Sequence, residues 1–143
     1  MPTVTTQTVT ATTADACDCC GETVPVACCP DVEVPATLYL TITLCGVTSN
    51  VTLTYNAGLG RWQGGWSQNG GTYLFITGCS GVNWFWRIEY CGANSAPGDY
   101  NGGLTCDPFS ASASGNVNFL APPFGPDCGT CVGTRFVTVT VTE

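Results

Sequence analysis

The sequence predicts an all-β protein: an antiparallel β-sandwich of seven to eight short strands, stapled by disulfides and preceded by an extended N-terminal arm. Three observations carry this. Apolar and polar residues alternate with period two in several segments, while no window of 11 or more residues repeats at helical spacing. Turn-forming residues, among them 18 Gly and 9 Pro in 143 positions, divide those segments at short and fairly regular intervals. Eleven cysteines lie near the rough level (about 8–10%) at which composition alone suggests a covalently stapled scaffold. At this length one domain is expected.

Residues 1–13 hold seven threonines and two valines. Val4 and Val9 fall on opposite faces of an extended chain, so this segment specifies no buried face. It is read as an arm whose Thr3, Val4, Thr5, Thr8, Val9 and Thr10 dock on a neighbouring subunit. The single domain then spans 14–143 and opens with a Cys- and Pro-rich loop over 14–35.

Strands follow. In Thr37–Cys45, Leu38, Leu40, Ile42 and Leu44 face one way, and Thr37, Tyr39, Thr41 and Thr43 the other. Val51, Leu53 and Tyr55 alternate with Thr52 and Thr54, and Asn56–Gly60 supplies a hairpin turn into Arg61–Ser67, where Gly64-Gly65 marks a bulge or bend. Asn69-Gly70-Gly71 turns the chain into Tyr73–Thr77. In Val82–Tyr90, Val82, Trp84, Trp86, Ile88 and Tyr90 share one face, the pattern of a core strand. Residues 92–114 read as loop, Asn116–Leu120 as a short strand and Ala121–Gly133 as a loop. The chain closes on Thr134–Thr142, where Val137, Val139 and Val141 alternate with Phe136 and threonines. This terminal strand (Phe136, Val137, Val139, Val141) is expected at a sheet edge, available for strand addition.

All eleven cysteines are disulfide candidates: Cys17, Cys19, Cys20, Cys28, Cys29, Cys45, Cys79, Cys91, Cys106, Cys128 and Cys131. Neighbours on an extended chain point in opposite directions, so Cys19-Cys20 and Cys28-Cys29 can each stitch one loop to two elements. An odd number cannot all pair within one chain. The Cys-x-x-Cys pairs Cys17/Cys20 and Cys128/Cys131 have the spacing of zinc ligands, but they stand far apart in sequence and disulfides are the simpler expectation.

Composition removes much chemistry. There is no His, and only Arg61, Arg87 and Arg135 are cationic against ten carboxylates, giving a net charge of −7. That excludes His-based triads and leaves no basic patch for tracking phosphates, so no nucleic acid is expected as a partner. Asp99, Asp107, Asp127 and Glu89 are the loop-side acids a hydrolase would need, but Asp107 and Asp127 sit in turn-type sequences that occupy them locally. Asp15, Asp18, Glu22 and Asp31 lack the spacing of a calcium loop. No catalytic residue, metal or cofactor is expected, and no segment is long and apolar enough to span a membrane.

Residues 1–16 carry neither the basic nor the apolar stretch of an export signal. A leaderless, disulfide-rich protein is reconciled by a particle assembled inside a cell and exposed outside it, so a virion surface or extracellular setting is expected. Asn50-Val51-Thr52 is an N-glycosylation triplet. Tyr55, Trp62 and Trp66 form the candidate platform for stacking sugars, Trp62 and Trp66 sharing a parity across Gly64.

Val34–Cys45, Val51–Asn56 with Trp62, Cys106-Asp107-Pro108-Phe109 and Val137–Glu143 together resemble Cys-rich β domains of uncharacterised environmental bacterial and tailed-phage proteins. The resemblance spans residues 25–143 and implies a fold style and a surface or virion setting, with no site residues. The expected function is a structural subunit that assembles with copies of itself by strand addition. The alternative is a carbohydrate-binding module using exposed aromatics, with a glycan as partner.

Overall fold

The computed structural model describes residues 28–30, 32–94 and 103–143. The arm over 1–13 and most of the 14–35 loop lie outside the described residues. Among the described residues nine strands run β1 (Thr37–Leu44), β2 (Val47–Asn56), β3 (Arg61–Gln68), β4 (Gly71–Ser80), β5 (Asn83–Tyr90), β6 (Ala93–Asn94), β7 (Gly103–Cys106), β8 (Phe109–Phe119) and β9 (Gly133–Thr142). All pair antiparallel in one sheet ordered β6-β5-β4-β3-β2-β1-β9-β8-β7. Among the described residues β6 and β7 stand at the two ends of this order; they are consecutive among the strands, and the sheet is nearly closed.

Period-two patterning explains each face. Leu38, Leu40, Ile42 and Leu44 are buried while Tyr39 and Thr41 are exposed, and Val137, Val139 and Val141 are buried between exposed threonines. Trp84 and Trp86 are core residues, as their parity predicts. Val82 is not: at 79% exposure it belongs to the turn before β5, which starts one residue later. β8 is much longer than expected. Its first half places Ala111 and Ala113 inward and serines outward, an alternation too weakly apolar to stand out from loop sequence.

The terminal strand requires a correction. β9 pairs with β8 along its whole length and with β1 over Thr138–Thr142, so Val139 and Val141 lie inside the sheet and the strand is not an edge strand; its first residues, Gly133 to Val137, lack a β1 partner. Its alternation was legible, but its place in the sheet depends on contacts with residues nearly a whole chain away.

Three hairpins use the two-residue turns Cys45-Gly46, Asn69-Gly70 and Cys91-Gly92, with positive φ at both positions of each. Such type I′ turns match the twist of the strands they join. Alternation of antiparallel strands puts all three at one end of the sheet. At Gly64 the chain bends: β3 pairs with β2 only over Arg61–Gln63, and a Cβ at position 64 would strike the Thr52 carbonyl oxygen and the Leu53 side chain.

Large aromatics fill the interior and join distant strands. Trp62 of β3 meets Phe109 of β8 at 5.3 Å between centroids, and Tyr90 of β5 meets Phe119 of β8 edge-on at 5.2 Å. The Leu120 amide donates to the Tyr90 hydroxyl at 2.9 Å. These contacts draw β8 toward the first half of the sheet.

Candidate functional site

Among the described residues four disulfides divide between the two ends. At the hairpin end, the turn cysteines Cys45 and Cys91 reach Cys131 and Cys128, so one loop segment is sewn to two turns. The Thr130 amide donates to the Asn69 carbonyl of the third turn at 2.9 Å. At the opposite end, Cys28 bonds Cys79 near the finish of β4, and Cys29 bonds Cys106 at the finish of β7. The adjacent pair thus stitches one loop to two elements, as extended-chain geometry predicts. Hydrogen bonds extend this cap: the Trp62 indole donates to the Pro35 carbonyl at 2.7 Å, and the Tyr55 amide donates to the Ala36 carbonyl at 3.0 Å.

This pairing corrects the zinc alternative, because the sulfurs of Cys128 and Cys131 are consumed in disulfides. It also implies an oxidising, extracellular-type environment, since such bonds persist where thiols are not kept reduced. All eight described cysteines are paired. Cys17, Cys19 and Cys20 lie outside the described residues. Among the described residues no group of three His, Cys, Asp or Glu side chains comes together, and no helix is long and apolar enough to cross a membrane.

The sugar-stacking expectation is corrected at Trp62. It is fully buried, packed against Tyr55 at 4.9 Å and Phe109, with its N–H engaged, so it presents no face to a ligand. The parity it shares with Trp66 is the core parity. Trp66 is half-buried, stacks on Tyr73 at 5.2 Å and donates to Gln68 at 3.0 Å. Gln68 in turn donates to the Leu44 carbonyl, tying the end of β3 to the end of β1. Tyr55 is half-buried. The three aromatics stabilise the interior and its ends, and they do not form an exposed platform. In the terminal strand, Val137, Val139 and Val141 are buried core residues and Phe136 is exposed. The arm residues Thr3, Val4, Thr5, Thr8, Val9 and Thr10 lie outside the described residues.

The most distinctive surface arises where three threonine-bearing strands adjoin. Thr138, Thr43 and Thr48 lie in register across β9, β1 and β2, as do Thr140, Thr41 and Asn50, and then Thr142, Tyr39 and Thr52. Thr43 and Thr48 share a hydrogen bond of 2.9 Å, and the Thr41 hydroxyl donates to Asn50 Oδ1 at 3.1 Å. β8 extends the rows with Ser114, Ser112 and Ser110. The twelve positions carry no charge. The outward parity of Thr37, Tyr39, Thr41 and Thr43 is visible in the sequence, but the gathering of these strands onto one face follows from sheet order, which no local pattern encodes.

None of the three arginines is among these twelve positions. Arg87 pairs with Glu89 on β5 at 3.6 Å, and Arg135 donates to the Val132 carbonyl. Among titrating groups, burial pushes the Tyr73 hydroxyl above its ordinary value of 10.0. Comparison of the chain with protein-family models, with curated proteins and with solved structures finds no match.

Proposed function

We propose that this protein is a structural subunit, a sandwich-like β domain that assembles with copies of itself in a virion, decoration layer or extracellular filament. The observation that carries this reading is the covalent closure of both ends of the sheet, with the Cys28-Cys29 clamp standing where the N-terminal segment enters the domain. Each disulfide contributes about 2–4 kcal/mol by restricting the unfolded chain. Against an ordinary net stability of ~5–15 kcal/mol, four such bonds favour a body built for persistence. Such a body suits exposure outside a cell.

Assembly proceeds through the arm, now that β9 is withdrawn as an edge. The threonines and valines of residues 3–10 favour an extended conformation, and strand addition to a neighbour would supply their hydrogen-bond partners. The test compares the full chain with a chain lacking residues 1–13, by electron microscopy and sedimentation under non-reducing conditions. The full chain is expected to form ordered particles or filaments, and the shortened chain to remain a folded monomer. Equal assembly by the two, or a full chain that stays monomeric at every concentration, would refute the reading.

A further inference from the structure

We propose that the outer face of β9, β1 and β2 holds a binding groove for a neutral glycan, centred on Tyr39. This goes beyond the assembly reading and does not depend on it. The groove has a volume of about 320 Å³ and is lined by Tyr39, Thr41, Asn50, Thr52, Thr140 and Thr142. That is the lower end of the ~300–1,000 Å³ range of small-molecule sites, suited to a short stretch of saccharide.

Charge selects the ligand class. No lining side chain is charged, in a chain of net charge −7. An anionic ligand would find no cation to pair with and a repulsive field around it. A cationic ligand would find no carboxylate in the groove. A neutral polyol loses nothing by that absence. Thr and Asn side chains both donate and accept hydrogen bonds, which matches the dual character of sugar hydroxyls. The Thr41 hydroxyl engages Asn50 Oδ1, which fixes the amide and turns its N–H groups to other partners.

Tyr39 supplies the apolar half of the match. It is 56% exposed in the middle of a strand whose other outward neighbours are threonines. A sugar ring has a C–H face and a hydroxyl rim, and an exposed phenol ring beside hydroxyl and amide groups complements both. A second copy of the chain is a poorer fit. Even with β8 included, four strands by three rows cover roughly 400 Å² at standard β-sheet spacings, about half of the ~800 Å² that each partner of a stable dimer buries.

The experiment is affinity electrophoresis of the full chain, produced in a host that does not glycosylate Asn50. Native gels contain hydroxyethyl cellulose, galactomannan, laminarin or dextran, with the polyanion alginate as control. At least one neutral polysaccharide is expected to retard the protein, and alginate is not. Tyr39→Ala should weaken retardation about tenfold, the order expected for loss of one stacked ring. Tyr39→Phe should keep most of it, and Thr140→Asp should reduce it. These positions are exposed, and unchanged thermal unfolding verifies that each variant folds. Migration unaffected by all four neutral polymers overturns the proposal, as does retardation undiminished by Tyr39→Ala or matched by alginate. A Tyr39→Ala chain that sediments as a smaller species, without a change in retardation, also overturns it, because the face is then a contact between copies. The chain lacking residues 1–13 is run alongside and should be retarded like the parent, which separates this outcome from that of the assembly test.

Discussion

Tyr73 shows how a single buried group writes a pH dependence into the fold. Its ring packs on Trp66 and Phe119, and its hydroxyl titrates above the ordinary 10.0 because burial disfavours the phenolate. The stability that the neutral ring brings is fully present below the unfolded value and is lost as pH rises through the folded one. Resistance to denaturant is therefore expected to fall as pH rises past 10.0, with a smaller alkaline loss in Tyr73→Phe. Equal alkaline slopes for the two proteins would count against this account. Residue identity alone did not reveal depth. Trp62 and Trp66 share a parity, yet Trp62 is sealed because the Pro35 carbonyl, 27 positions away in sequence, covers its N–H.

Strands differ in how openly the sequence announces them. β1, β5 and β9 carry strong alternation of large apolar residues against threonine or polar residues, and their faces were legible. The first half of β8 hides behind alanine and serine, although Ala111 is as buried as any leucine in the core. Sheet order was not legible at all, because β9 reaches β1 through pairings such as Val141 with Leu40 that leave no local trace. The turns were half-read: Asn69-Gly70 is legible as a hairpin turn, whereas Cys45-Gly46 and Cys91-Gly92 are not, because cysteine is an unusual residue at positive φ. The bond from the β1–β2 turn to Cys131 encloses 86 positions of chain. Replacing Cys45 and Cys131 together with alanine should lower unfolding free energy by about 2–4 kcal/mol in oxidised protein, while far-ultraviolet circular dichroism keeps its β signature. Loss of that signature would mean the bond is needed to form the sheet rather than to hold it.

For the molecule as a whole, the cysteine count becomes a measurement. Eight of eleven cysteines are paired among themselves, so the odd sulfur falls to Cys17, Cys19 or Cys20. Thiol titration of denatured, unreduced monomer is expected to find one or three reactive groups per chain, and an even count in a true monomer would contradict the pairing. The clamp at Cys28 and Cys29 also has a mechanical meaning. Tension on the N-terminal segment passes through one dipeptide into β4 and β7 by covalent bonds as well as along the chain into β1. A pull on such a tether is shared among three strands instead of falling on β1 alone, and a reductant that opens the two bonds removes that sharing.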